Sequence, residues 1–238
     1  MSKRTVNWAR LRSPEPGDPD TASLRDRKKR LMRQQLSDTA TEMFLDRGFD
    51  AVRVVDVAEA CGVSEKTVYN YFPTKESLIL DRWDTTMGSL RTGLSDPAVS
   101  PVQAALQILA DELGGLISWL MAQDDPVAAC TLFHRFGAMI RTTPALRAHQ
   151  YDVTEQLIAV TAEILAGRTG TLSDDPEPQI AATALVGLWR VQSESQRRNL
   201  DGAHVPAVIH QVVTDDVERA AQLIETGLHS FGQVDRPK

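Results

Sequence analysis

The chain has 238 residues, of which 42% are hydrophobic and 24% charged, with a formal net charge of −6. That balance excludes a wholly disordered or fibrous polypeptide and leaves room for one large domain or two modest ones. The two cysteines, Cys61 and Cys130, are too few for a disulfide-stapled fold and lack the C-x-x-C spacing of zinc or redox sites.

The N-terminus carries Lys3, Arg4, Arg10 and Arg12 without an apolar core, unlike a secretory signal. The longest apolar stretch, Leu116 to Ala122, falls short of the roughly 18–20 residues that a spanning helix needs. These features predict a cytoplasmic protein with no membrane partner. The acidic average hides a division. Residues 1–83 hold 15 Lys and Arg against 13 Asp and Glu, whereas residues 84–238 hold 11 against 19. Most of the N-terminal excess lies in Arg25, Arg27, Lys28, Lys29, Arg30 and Arg33, which suits a polyanion if a recognition element follows.

Residues 1–23 are rich in Pro, Gly and Asp with no apolar period, the pattern of a flexible arm. From there the periodicity is helical, with no sustained alternation of period two. Met32, Leu36, Ala40, Met43 and Phe44 mark a first helix that Gly48 stops. Val54, Val57, Ala58 and Cys61 mark a short second helix ended by Gly62. Val63, Val68 and Phe72 place a third on the same core, closed by Pro73. Thr74 is positioned to cap a fourth, running through Leu78, Ile79, Trp83, Met87 and Leu90 to Leu94.

Beyond Ser95, Ser100-Pro101, Asp125-Pro126 and Thr143-Pro144 each set a capping side chain before a proline; Asp175-Pro176 and Pro206 are weaker versions. The prediction is an all-α protein of about nine helices. Residues 24–80 form a three-helix helix-turn-helix domain and 81–238 a larger helical domain. Gly114-Gly115 inside the fifth helix suggests a kink or a close approach.

The most informative segment is Val54 to Glu76, a short helix, a glycine-containing turn and a second short helix. Ser64 can cap the second, and Val68 and Phe72, four residues apart, bind it to the core. Glu65, Lys66, Thr67, Tyr69, Asn70 and Tyr71 are left to project outward. Such a face offers donors and acceptors for base edges and hydroxyls for phosphates.

Gly48-Phe49, Asp56-Val57-Ala58, Gly62-Val63-Ser64, Thr67 to Pro73 and Lys75-Glu76 together resemble the DNA-binding domain of the TetR family of bacterial transcriptional regulators. The likeness covers roughly residues 26–80. It implies that the helix from Ser64 to Tyr71 enters the major groove and that Tyr71 and Lys75 hold phosphates. Arg53 stands where the family usually has Thr or Ser, so capping of the second helix by a side-chain oxygen is lost there. A phosphate contact remains open to it.

No nucleophile elbow, phosphate loop, dinucleotide fingerprint or H-E-x-x-H motif is present, and the five histidines lack metal-ligand spacing, so no catalysis, cofactor or metal is expected. Trp119, Met121, Phe133, His134, Phe136, Met139 and Trp189 gather bulky side chains on the fifth, sixth and eighth helices. They resemble the lining of the family's effector pocket, which implies a small hydrophobic effector. The stripes Ala184, Leu188 and Val191 with Val213, Val217, Ala220 and Ile224 suit a four-helix interface between two copies. The whole reads as a homodimeric repressor of a palindromic double-stranded DNA operator. The alternatives are a regulator gated by a protein partner or ungated, and a helical enzyme or lipid carrier.

Overall fold

The computed structural model describes residues 24–80, 83–200 and 205–227. Among them are nine α-helices and no strand: α1 Leu24–Arg47, α2 Val54–Cys61, α3 Glu65–Tyr71, α4 Trp83–Ser95, α5 Pro101–Met121, α6 Pro126–Thr142, α7 Pro144–Thr169, α8 Pro176–Asn199 and α9 Pro206–Thr226. The arm expected over residues 1–23 lies outside the described residues.

The chain forms two compact units. One holds the described residues up to Thr86, then Gly115–Thr154 and Leu200. Leu36, Ala40 and Phe44 of α1, Val57 and Ala58 of α2, and Val68 of α3 meet there in one buried cluster with Phe49, Val52 and Phe72. The helical period dictates this, since Leu36, Ala40 and Phe44 recur every four residues on one face. The cluster also takes in Ile140 of α6 and Leu146 of α7, and Phe136 and Met139 pack against it. The three N-terminal helices thus share their core with elements about 60–100 residues later in the chain.

Gly62 ends α2 in the left-handed region at φ 69°, a conformation that a Cβ would strain, and its N–H donates to the Glu59 carbonyl at 3.1 Å. That turn sets α3 across α2. Thr74 behaves differently from the expectation. It exchanges two hydrogen bonds with Ser77, Thr74 Oγ1 accepting from the Ser77 N–H at 3.1 Å and Ser77 Oγ accepting from the Thr74 N–H at 3.2 Å. The turn it caps is a single 3₁₀ turn, Glu76–Leu78, and the fourth α-helix is Trp83–Ser95. Ser37 Oγ on α1 donates to the Leu78 carbonyl at 2.6 Å, holding the 3₁₀ turn against α1.

The second unit holds Met87–Gly114, Glu155–Asn199 and the described residues from Val205. Its main packing is α8 on α9. Arg168 of α7 donates to the Leu94 carbonyl at 3.0 Å, which the end of α4 leaves open, and to the Val99 carbonyl in the connection to α5 at 2.8 Å. An added Cβ at Gly114 would meet nothing within 4 Å, whereas at Gly93 it would stand 3.3 Å from Ile108 Cδ1.

The capping device holds at Ser100 and Asp125, while Thr143 closes α6 with its backbone N–H on the Met139 carbonyl. Ser100 Oγ accepts from the Gln103 N–H and Asp125 Oδ1 from the Ala128 N–H. Asp175 differs, its carboxylate accepting from the Leu172 N–H in the preceding turn. The membrane expectation is also revised. By length and hydropathy alone, Pro101–Met121 could cross a membrane. Half of its apolar window is nonetheless buried in the chain, including Leu109, Leu113, Leu116 and Leu120, as in a core helix.

Candidate nucleic-acid interface

α3 is seven residues long, presented by the turn at Gly62 and anchored from behind. Ser64 accepts the Thr67 N–H at 3.1 Å, and its hydroxyl also pairs with the Thr67 hydroxyl at 2.8 Å. Val68 and Phe72 are fully buried. With the back of the helix fixed, Glu65, Lys66, Tyr69 and Asn70 stand in solvent. Tyr69 is 46% exposed, a large share for an aromatic side chain.

Two members of the outward set are placed differently. Thr67 is half-buried beside its capping partner, and Tyr71 packs its ring against the core. The helical period explains Tyr71, which lies three residues beyond Val68 on the inward flank. Arg53, at the start of α2, is folded onto its own helix. Its backbone N–H donates to Asp56 Oδ2 at 2.8 Å and its guanidinium to Asp56 Oδ1 at 2.7 Å. That pairing holds the Asp56 carboxyl below its usual range.

Lys75 is turned inward. Its Nζ donates to the Phe49 carbonyl at 2.6 Å and lies 4.2 Å from the centre of the Phe49 ring and 5.6 Å from that of Phe44. Burial draws its ammonium below the ordinary lysine value, against the opposing pull of Asp50, Glu76 and Asp56. Arg25, Arg27, Lys28 and Lys29 stand exposed on the first turns of α1, whereas Arg33 is directed at α3. Sequence spacing showed neither contact, because each joins residues 26 or more positions apart.

A helix-turn-helix core, a capped presenting helix and a polar outward face are now in place. Residues 36–81 match the family profile for bacterial regulatory proteins of the tetR family, and residues 123–228 that of the MftR C-terminal domain. The chain belongs to the TetR family. It is a DNA-binding transcriptional regulator and not an enzyme.

The regulator is 28% identical over 163 residues to the mycofactocin-biosynthesis regulator candidate MftR of Mycobacterium tuberculosis, covering 68% of this chain and 78% of that one. It is 24% identical over 181 residues to the HTH-type transcriptional repressor DhaR of a Mycobacterium species, covering 71% and 87%. Among solved structures it resembles NalD, the secondary repressor of the MexAB-OprM efflux pump of Pseudomonas aeruginosa. The TM-score there is 0.50 at 19% identity, over 81% of this chain and 97% of that one, a likeness of fold.

The bulky residues of this TetR-family chain fall in both units. Trp119 is buried, with its ring 6.5 Å from Phe133, which stacks on Phe136 at 6.1 Å. Met121 is exposed, and His134 is half-buried. Phe136 and Met139 pack against the helix-turn-helix core, and Arg135 beside them donates to the Leu45 carbonyl at 2.9 Å. Trp189 belongs to the other unit, where its indole N–H donates to Glu112 at 3.0 Å. Burial pushes the Cys61 and Cys130 thiols up, away from reactivity. Among the described residues no group of three or more His, Cys, Asp or Glu could hold a metal. Thr161 Oγ1 on α7 is buried with no hydrogen-bond partner, a polar point that no motif had marked.

The two stripes on α8 and α9 divide in a similar way. Leu188, Val213 and Val217 are buried to within 3% in the single chain, so they are not available to a second copy. Ala184, Val191, Ala220 and Ile224 keep part of their surface exposed, and Ile180 is 68% exposed. A 3.6-residue stripe is wide enough to serve two neighbours, and the inner edge of this one serves the chain itself.

Proposed function

We propose that the regulator is a homodimeric repressor that reads a near-palindromic operator through α3 and is released by a small hydrophobic molecule. One observation carries the reading. α3 is fixed from behind by Val68 and Phe72 and offers Glu65, Lys66, Tyr69 and Asn70 to a partner. Asn can form a bidentate pair with adenine, and Lys and the tyrosine hydroxyl reach guanine edges or phosphates. A two-fold dimer would place two such helices one turn of duplex apart, about 34–36 Å. That DhaR is a repressor supports the sign of the control.

The effector acts through α6. Phe133 takes part in the aromatic array with Trp119, and Phe136 and Met139 take part in the core of the helix-turn-helix. A ligand that displaces Phe133 therefore shifts the helix against which α1 is packed. It changes operator affinity only so far as it binds the two arrangements unequally. Ala184, Val191, Ala220 and Ile224 form the dimer contact. The test is a gel shift on the DNA upstream of the protein's own gene, with a panel of hydrophobic compounds. A shift released by one of them is expected. A shift that no compound releases points to gating by a protein partner or to none, and turnover of a compound without any shift would overturn the reading.

A further inference from the structure

Arg33 lies in the basic run of α1, but its side chain leaves that run. Its Nη1 donates to the Tyr71 carbonyl oxygen at 3.0 Å, and its guanidinium carbon sits 4.8 Å from the centre of the Phe72 ring. Tyr71 is the last residue of α3, and the last four carbonyls of a helix have no donor within it. A two-turn helix does not hold its shape unaided. The N-terminal end of α3 is held by Ser64 and its middle by Val68, while its C-terminal end rests on Phe72 and Arg33.

We infer that Arg33 is a positioning residue for DNA recognition, fixing the C-terminal end of α3 and with it the angle at which Tyr69 and Asn70 meet the bases. The inference rests on the reading of α3 as the helix that enters the groove. The residue type matches the task. A guanidinium spreads its charge over several N–H groups, so it can lie over Phe72 while one N–H donates to Tyr71, and a compact ammonium cannot do both as well. The positive charge also stands at the negative end of the α3 dipole. The contact joins residues 38 positions apart, so α1 holds α3 directly and not through α2.

The test uses full-length Arg33→Met and Arg33→Lys. In the free protein, amide exchange of residues 68–72 should rise about tenfold in Arg33→Met with little change in α2, Arg33→Lys recovering part of the protection. Equal acceleration in α1, α2 and α3, or none in α3, overturns the assignment. With DNA, the preference for a duplex that the wild type selects from a random pool over a scrambled duplex should fall about tenfold in Arg33→Met, at unchanged salt slope. A slope lowered by about one unit would make Arg33 a phosphate ligand and overturn it. Val57→Ala, destabilised to the same melting temperature, should keep the preference. Equal loss there would mean general loosening and also overturns it. If the wild type selects no duplex, the groove reading fails, and the exchange result alone decides Arg33.

Discussion

The Lys75 ammonium lies 2.6 Å from the Phe49 carbonyl oxygen and 4.2 Å from the centre of the Phe49 ring, so one side chain latches the end of the helix-turn-helix to the turn after α1. A charge-assisted hydrogen bond and a cation–π contact each contribute on the order of 1 kcal/mol at a half-buried site. Lys75→Met should therefore lower the urea midpoint by an amount equivalent to about 1–2 kcal/mol at unchanged m-value. It should weaken binding to all DNA sequences alike. A variant as stable as the wild type would show the latch to be idle.

For α3 itself the expectation is sequence-dependent. Tyr69 and Asn70 are exposed and hold nothing within the chain that the structure shows, so their loss leaves folding intact. Tyr69→Ala and Asn70→Ala should each weaken binding to the selected operator by about 1–3 kcal/mol and relax base preference, while binding to scrambled duplex stays the same. A competition binding assay at fixed salt separates the two.

The first turns of α1 should behave in the opposite way. Replacing Arg25, Arg27, Lys28 and Lys29 by Gln removes four exposed charges that touch no part of the core. If two of them meet phosphates, the slope of log affinity against log salt falls by about two, at about 0.9 per phosphate. Operator preference stays unchanged. An unaltered slope would reduce the run to a solvated helix start. The matched profile spans residues 36–81, so these four positions lie ahead of it on the same helix.

What the sequence disclosed follows the range of the interactions involved. Ser64, Ser100 and Asp125 cap helices with bonds to residues three positions on, and their roles are legible because the pattern is local. Thr74 shows the limit, since the same local signal announces a 3₁₀ turn as readily as an α-helix. Phe136 and Met139 read as pocket lining because they are bulky and helical, yet they pack against a core built about a hundred residues earlier. The C-terminal half matches a family profile over 123–228 without offering any single motif, its signal being spread over many weakly constrained positions.

Acid sensitivity of the α8–α9 pair should centre on Asp216. Its carboxylate accepts from the Ser195 hydroxyl at 2.6 Å and from Arg198 at 2.9 Å and pairs also with Arg219, and these hold it below the usual carboxylate range, the Ser195 bond foremost. A carboxyl whose folded value is depressed contributes stability that is complete above its unfolded value, about 3.9, and is lost as the pH falls through the lower folded value. Asp216→Asn should cost about 1 kcal/mol at pH 7, and the difference from wild type should close below about pH 4. Thermal melts between pH 7 and pH 3 measure it. A difference that widened in acid would show that Asp216 acts by something other than its charge.

The divided stripes on α8 and α9 set the last expectation. Val217 is 3% exposed and belongs to the interior of the single chain, so Val217→Arg would bury an unpaired charge. Val191 sits one turn beyond Leu188 but keeps part of its surface open, so an arginine there can reach solvent without disturbing the fold. Val217→Arg should lower the melting temperature steeply and lose helical content, whereas Val191→Arg should keep wild-type circular dichroism and sediment as a monomer. Loss of the dimer removes the second recognition helix, so Val191→Arg should also lose operator binding while retaining weak, salt-sensitive binding to any duplex. A Val191→Arg protein that stays dimeric, or a folded monomeric Val217→Arg protein, would place the contact between copies elsewhere than on the open edge of these two helices.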